Sequence, residues 1–383
     1  MNARILTTEK LRALRRTPAE LKKSDQQAQR LHNRALLLQL LRLEGPRTRP
    51  QLARLSGLSV PAVTTLLAEL ADDGVVRDIG GDGAARVGKP ASYVKIDDDG
   101  AFVMAVDTTS TGAFTGAILN LAGVEKTRLS LPYDGEVDTA LEVLLRLLDA
   151  LLEHEPTPLA GIGIASHGLV DDIGVVHLAE RFGWREFPLG ALVAERSGLP
   201  TVVGNDVDLM ALGIRRFRRR SDRDLIAIAL DHGVAGAAII NGQILLGEQF
   251  AAGELGHLKV SDSDRVCSCG SRGCLDTYVS AEFLRPHLSG SAEARASTLS
   301  AAGRVLGDVL APVVNFLNVS EIAVIGDAEL VPGAFLTAVD ETVRARVMPA
   351  MAGDLVIDAY TDGTSLALLG AASEVLSREL GLL

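Results

Sequence analysis

Apolar residues fall at helical spacing from Asn33 onward, at Leu36, Leu37, Leu40 and Leu41, and the run stops at Glu44-Gly45-Pro46. A second amphipathic stretch opens at Thr48, an N-cap residue, with Leu52, Ala53 and Leu55 turned inward and Gly57 closing it. Ser59 caps a third, which runs from Val60 or Pro61 to Asp73 and buries Val63, Leu66, Leu67 and Leu70. The connection Leu55-Ser56-Gly57-Leu58-Ser59 is short and contains glycine, which predicts a helix-turn-helix. Val75 to Ile79 then reads as a strand, Gly80 to Gly83 as a tip and Ser92 to Ile96 as the return strand of a wing. Residues 1–32 are basic with little apolar periodicity, so an arm or a loosely docked helix is expected ahead of a winged helix-turn-helix over 33–96.

After the acidic seam Asp97-Asp98-Asp99-Gly100 the pattern changes to alternating strands and helices, and residues 97–383 read as an α/β body. Ala101 to Val106, Gly112 to Asn120 and Leu159 to Ala165 are strand-like, with an apolar helix from Thr139 to Glu153 between them. A second set begins at Leu225 to Leu230 and contains the hairpin signal Asn241-Gly242 between Ala237–Ile240 and Gln243–Leu246. Long helices over Leu299 to Val319 and Phe335 to Met351 flank a strand at Ile322 to Ile325. The pattern by itself gives an α/β body of two lobes.

Charge separates the two parts. Residues 1–95 hold 17 Lys+Arg against 9 Asp+Glu, a net of +8, and the remainder holds 21 against 40, a net of −19. A basic module on an acidic body points to a polyanion met only by the first part. In a helix-turn-helix the start of the second helix enters the major groove, so Ser59, Pro61, Ala62, Thr64 and Thr65 face bases and phosphates, while Arg49 and Arg54 position the module on phosphate. A three-helix packing module that never touches DNA is the alternative. Met1 to Lys23 lacks the apolar core of a signal segment, and no apolar run approaches the ~18 residues that would span a bilayer, so a cytoplasmic protein without a membrane partner is expected.

All three cysteines, Cys267, Cys269 and Cys274, lie in one stretch with His257 ten positions ahead of the first and Gly270 and Gly273 between them. Three thiolates and one imidazole form the closed tetrahedral set of a structural zinc site; the alternative is three buried free thiols. Grouped cysteines with none left to pair also fit a reducing compartment.

Glu-x-Gly-His at Glu254 to His257, followed by Cys-x-Cys-Gly-x-x-Gly-Cys-Leu-Asp at Cys267 to Asp276, resembles the signature of the ROK family of repressors, uncharacterised reading frames and sugar kinases. The resemblance implies a two-lobed actin-like body of the sugar kinase and ribonuclease H-like type. It also implies that His257 binds zinc through one ring nitrogen and faces a sugar with the other, with Glu254 taking sugar hydroxyls. Asn205-Asp206 resembles the family's Asn-Asp, and Asp276 stands where the family more often has glutamate. Trp184 sits in the family's Gly-Trp element or belongs to the core. Arg86-Val87-Gly88-Lys89-Pro90 resembles the Gly-Arg-Pro element by which family repressors enter a minor groove, which makes Arg86 and Lys89 candidate DNA contacts.

Several positions depart from the family's kinases. Asp107-Thr108-Thr109-Ser110-Thr111 replaces Asp-x-Gly-Gly-Thr, Asp231 to Ala237 has lost glycines of the second phosphate loop, and Gly326-Asp327 replaces a Gly-Gly pair. Backbone amides cradle phosphate only where the main chain comes close, so no kinase activity is expected. Ser166-His167-Gly168 replaces a Pro-Gly-Pro turn, and Arg181 replaces an asparagine that meets sugar hydroxyls. Arginine is a forked donor that matches anions, which places a sugar acid or sugar phosphate beside a neutral sugar as the ligand, with an empty pocket as a third possibility. The run Arg215 to Arg220 follows a helix from Val207 to Ile214 and is expected as a solvated face or a subunit contact, with a second nucleic-acid contact as the alternative. Together these readings give a zinc-containing regulator, a homodimer or homotetramer, most simply a repressor released from operator DNA by a sugar or sugar derivative. A sugar kinase and an effector-independent DNA-binding repressor are the alternatives.

Overall fold

The computed structural model describes residues 18–80, 92–154, 158–219 and 223–382. The chain divides into two compact units, the first comprising the residues up to Ala101 together with the last residues from Leu376, the second Phe102–Val375.

In the first unit, helix α1 (Pro18–Glu44) is continuous through residues 32 and 33, so residues 18–32 of the expected arm belong to the first helix, and residues 1–17 lie outside the described residues. Its buried positions are Leu37, Leu38 and Leu41, while Leu36 and Leu40 are half-buried. Strand β1 (Arg47–Thr48) leads into α2 (Arg49–Ser56) through a capping box: Thr48 Oγ1 accepts from Gln51 N, and Gln51 Oε1 accepts from Thr48 N at 2.9 Å. Gly57 ends α2 in the left-handed region at φ 73°, and Leu55, expected inward, is 43% exposed beside this exit. Helix α3 (Val60–Asp72) starts under the Ser59 hydroxyl and buries Val63, Leu66, Leu67 and Leu70. Arg30 and Arg34 of α1 pair with Glu69 of α3, and Arg34 also pairs with Asp73. Strands β2 (Val76–Ile79) and β3 (Tyr93–Ile96) pair antiparallel, with β1 on the far side of β3. The wing tip, including Arg86 and Lys89, lies outside the described residues.

The second unit repeats one sheet plan. In the first lobe, β4 (Phe102–Asp107), β5 (Ala113–Asn120) and β6 (Glu125–Pro132) form an antiparallel meander. Helix α4 (Ala140–His154) covers the sheet with Leu144, Leu147, Leu148 and Leu151, and Gly116 leaves the room that Leu151 fills. Strand β7 (Leu159–Ser166) adds parallel to β4. A small sheet of β8 (Leu169–Val170), β9 (Val176–Ala179) and β10 (Trp184–Phe187) follows, then α5 (Leu189–Ser197), β11 (Thr201–Asn205) parallel to β7, and α6 (Asp206–Gly213). The strand order is β11-β7-β4-β5-β6.

In the second lobe, β12 (Leu225–Leu230), β13 (Val234–Ile240) and β14 (Gln243–Ile244) form the meander. Its tight turn has Asn241 at φ 50° and Gly242 at φ 83°, and β14 stops two residues short of the expected Leu246. Short helices α7 (Asp276–Val279) and α8 (Ala281–Leu284) precede the long α9 (Ala292–Leu317); β15 (Glu321–Gly326), α10 (Ala334–Arg346), α11 (Pro349–Ala352), β16 (Val356–Tyr360) and α12 (Gly363–Leu380) complete the chain. The order β16-β15-β12-β13-β14 reproduces the first lobe's two parallel strands and antiparallel hairpin on a central strand. By length and composition α9 could cross a membrane. It is the helix around which the second lobe's core closes: Gly303 and Gly307 let the backbone of α10 approach, and Leu306, Leu310 and Val314 are fully buried.

The arginine run is folded into the body in part, with Arg216 buried and Arg218 exposed. Residues Ile214–Arg219 form a π-helical turn, Arg216 is 8% exposed with its guanidinium 5.3 Å from the Phe217 ring, and Arg218 pairs with Asp362.

Helix α12 seats on α6 because Gly370 has no side chain: a Cβ there would overlap the carbonyl oxygen of Leu209. Gly370→Ala is expected to cost about 3 kcal/mol in urea unfolding, whereas Gly353→Ala, which meets nothing within 4 Å, should stay within about 0.5 kcal/mol of the parent.

Candidate functional site

A two-stranded finger between Leu258 and Cys274 brings the three sulfurs together. Isolated bridges pair Lys259 with Cys274 and Val266 with Arg272, and Cys267 N donates to Ser271 O while Gly270 N donates to Cys267 O. Gly270 at φ 83° and Gly273 at φ 73° make the two reversals, and a Cβ on Gly273 would overlap the carbonyl of Ser261. The finger is clasped from outside by Arg265, whose guanidinium lies 4.3 Å from the Tyr278 ring and 4.6 Å from the Phe283 ring and donates to Thr277 O at 3.0 Å.

The ligand atoms of His257, Cys267, Cys269 and Cys274 all lie within 4.8 Å of one another. Cys269 Sγ and Cys274 Sγ are 3.9 Å apart, and Cys267 Sγ is 3.5 Å from His257 Nδ1. Metal–sulfur bonds of about 2.3 Å in a tetrahedron give sulfur–sulfur edges of roughly 3.8 Å, which the Cys269–Cys274 separation matches. The thiols are uneven. Hydrogen bonds from Ser271 bring Cys269 down to about 7, while burial pushes Cys274 up to about 12.

With Nδ1 turned to the sulfurs, His257 Nε2 faces Glu254 Oε2 at 3.6 Å, and both side chains are exposed. The two ring nitrogens thus face different groups, Nδ1 the thiols and Nε2 the Glu254 carboxylate. Asp276 is placed differently from a free ligand: its Oδ1 accepts from Val234 N at 2.7 Å and its Oδ2 lies 3.8 Å from His257 Nδ1. It fits in a crevice where a Cβ on Gly256 would overlap its carboxylate, which makes it a brace between the metal finger and the turn into β13.

A second polar cluster fills the first lobe. Asp107, fully buried, accepts from Thr109 N at 2.9 Å and from the hydroxyls of Thr109 and Ser110 at 2.6 Å. Burial raises the Asp107 carboxyl above its ordinary value. His167 Nδ1 lies 3.2 Å from Asp206 Oδ2, and Arg181 Nη1 lies 2.9 Å from His167 Nε2 and donates to Thr109 O at 3.0 Å. Burial works to lower the His167 pKa, but Asp206 outweighs it and the imidazole sits above its ordinary value. Asn205, expected as a ligand, spends its side chain on structure: Oδ1 caps α6 and Nδ2 donates to Gly168 O at 3.0 Å.

On the first unit, Ser59, Pro61, Thr64 and Thr65 are exposed at the start of α3 and Ala62 is half-buried. Arg49 is not free. Its Nη1 and Nη2 bind Asp78 Oδ1 and Oδ2 at 2.8 and 2.9 Å, and Ser92 donates to the same carboxylate at 2.7 Å, which ties α2 to both wing strands. The Arg49 guanidinium holds the Asp78 carboxyl at about 2.

Sequence reasoning missed the group around His177. Its Nδ1 lies 3.0 Å from Glu186, its Nε2 3.3 Å from Asp171, and its ring stacks on Phe250 of the other lobe. Four dispersed residues carry no local pattern, so only the β9–β10 pairing and the lobe arrangement disclose them.

The ROK family profile matches residues 112–378, and a winged helix-turn-helix DNA-binding profile matches residues 32–77. The xylose repressor of Caldicellulosiruptor bescii is 28% identical over 62% of this chain and 61% of its own length. The DNA-binding transcriptional repressor Mlc of Escherichia coli is 22% identical over 89% of this chain and 92% of its own. The chain spans 65% and 64% of the lengths of two further curated relatives. A solved ROK family transcriptional regulator, a homologue of the E. coli Mlc protein, superposes with a TM-score of 0.81 and 21% identity, covering 92% of this chain and 98% of that one, which establishes a shared fold.

Two outcomes follow from the geometry. Cobalt(II) titrated into metal-stripped protein should give the intense thiolate-to-metal absorption of a tetrahedral site at one ion per chain, and Cys269→Ser should weaken it. A titration by NMR should find His177 above the ordinary imidazole value, because Glu186 and then Asp171 favour its charged form; Glu186→Gln should lower it. The stability His177 contributes is complete below the unfolded value and is lost as pH rises through the folded one.

Proposed function

The chain belongs to the ROK family, and from that premise we propose that it is a sugar-responsive transcriptional repressor. The observation that carries the reading is the joining of a winged helix-turn-helix to a ROK body whose phosphate-loop carboxylate is already consumed. Asp107 is saturated by Thr109 and Ser110, and Asp206, the position of the family's proton acceptor, is engaged by His167. An Asp107 bonded in this way is not presented to a metal–phosphate complex, and an Asp206 held by an imidazole is a poor base for a sugar hydroxyl.

In this reading Ser59, Pro61, Ala62, Thr64 and Thr65 meet the major groove with hydroxyl and methyl groups, and Arg86 and Lys89 reach the minor groove beside it. Arg49 contributes by fixing the wing on Asp78 more than by touching phosphate. Two copies place two such units on a two-fold operator, as a dimer or a dimer of dimers. His257, Cys267, Cys269 and Cys274 hold zinc. Bound there, zinc neutralises the thiolates and fixes the imidazole so that Nε2–H points out beside Glu254. Glu254 and His257 then take hydroxyls of a sugar, Asp206 accepts another, and Arg181, with Nη1 engaged, offers its remaining nitrogens to an acid or phosphate group. Asn205 and Asp276 hold the frame around them. A ligand relieves repression only by preferring one arrangement of lobes or subunits, and coupling of about 1–3 kcal/mol is typical. Reducing conditions for the thiols place the protein in the cytoplasm.

The test is sequencing of genomic fragments retained by the zinc-loaded protein, followed by anisotropy titration of a retained fragment against neutral sugars, sugar acids and sugar phosphates. One class should weaken binding at least about fivefold, the lower end of usual allosteric coupling. Retention of no fragment above a scrambled control would overturn the DNA-binding reading, and retention unaffected by every sugar would leave an effector-independent repressor. With MgATP and the same sugars, phosphorylation should remain at background; turnover would restore the kinase reading.

A further inference from the structure

The His177 group lies outside both sites described so far, and its backbone is unusual. Among the described residues four non-glycine positions have positive φ: Glu186 at 47°, Asn241 at 50°, Phe250 at 55° and Asn318 at 55°. The two asparagines end a hairpin and a helix, where this residue enters the left-handed region readily. Glu186 and Phe250 have no such local reason, and both contact His177. A strained backbone persists where surrounding contacts over-determine it.

The contacts are arranged around one ring. Asp171 is fixed in the β8–β9 hairpin, where Oδ1 accepts from Ile173 N and Val175 N, and its Oδ2 meets His177 Nε2 at 3.3 Å. Glu186 lies across from His177, between the pairs Arg185–Leu178 and Phe187–Val176, and meets Nδ1. With both nitrogens held, the ring offers its face to Phe250, 5.8 Å between centroids and 16° from parallel. Phe250 sits in a loop bounded by Gly247 at φ 76° and Gly253 at φ 94°, and Gly253 O accepts from Gly236 N at 2.7 Å, which anchors that end of the loop to β13. Each partner also leads directly to a candidate ligand group, since His177 precedes Arg181 by four residues and Phe250 precedes Glu254 by four.

We propose that His177 and Phe250 form a latch between the two lobes of the body, holding the β9 segment that leads to Arg181 against the Gly247–Gly253 loop that leads to Glu254. The latch parts and re-forms as a unit. That its opening gates a sugar rests on the proposed function; the latch itself does not, and it is tested on the full zinc-loaded chain without any sugar.

Hydrogen exchange by mass spectrometry reads the latch. His177→Ala should speed exchange roughly tenfold both in residues 171–187 and, in the opposite lobe, in 245–256, and Phe250→Leu should do the same; the double variant should be no faster than the faster single one. Phe250→Trp, which keeps an aromatic face, should restore slow exchange in both segments. Exchange in α3 and α9 should stay unchanged, which separates latch opening from general loss of stability. Acceleration confined to the mutated segment, or additive effects in the double variant, would overturn the proposal.

Discussion

Convergence of four metal-ligand side chains organises the second lobe. The ligand atoms of three cysteines and one histidine come within 4.8 Å of one another at the root of one finger, a set that could hold a tetrahedral metal ion. The surroundings of the thiols differ, with burial pushing Cys274 up to about 12 and Ser271 hydrogen bonds bringing Cys269 down to about 7. Once the sulfurs are tied, His257 has one nitrogen committed and the other aimed at Glu254, and Asp276 is trapped between the finger and the backbone of Val234. Arg265 between Tyr278 and Phe283 fastens the finger to α7 and α8 from its outer side. The position of the finger is thus carried into the helices of the second lobe by side chains in contact.

The first lobe shows the opposite economy, with charges that cancel among themselves. Asp107, His167, Arg181 and Asp206 form one connected set in which each group satisfies a neighbour. A buried carboxylate without partners is costly, so hydroxyl residues at Thr109 and Ser110 do for Asp107 what a bound phosphate–metal complex would otherwise do. Thr109 and Ser110 therefore stabilise the lobe with Asp107 buried. The loop after β4 is in this way held together by its own side chains.

Much of this was legible in the sequence, and unevenly so. Local signals were read well because their physics is local: the caps at Thr48 and Ser59, the inner face of α3, the Asn241-Gly242 turn and the Cys-x-Cys finger each depend on residues a few positions apart. What the sequence concealed depends on tertiary pairing. Arg49 looks like a phosphate contact until Asp78, 29 residues away, takes both its terminal nitrogens. Asn205 looks like a sugar ligand until α6 and Gly168 use both ends of its amide. The arginine run looks solvent-facing until the π-helical turn points Phe217 at Gly123 and draws Arg216 inside. Among the described side chains of α1 the buried ones, Leu37, Leu38 and Leu41, all lie after residue 32, and the helix runs on before it through a stretch whose sequence has no apolar stripe to announce it.

The central claim is that one chain couples a sugar to DNA, and coupling is reciprocal by thermodynamic necessity. The most direct measurement is the affinity of the active sugar for the zinc-loaded protein by calorimetry, alone and saturated with operator DNA. The account requires the operator to weaken sugar binding by the same factor by which the sugar weakens DNA binding. A sugar affinity indifferent to bound DNA would contradict it, leaving a sugar-binding body and a DNA-binding unit that share a chain without sharing free energy.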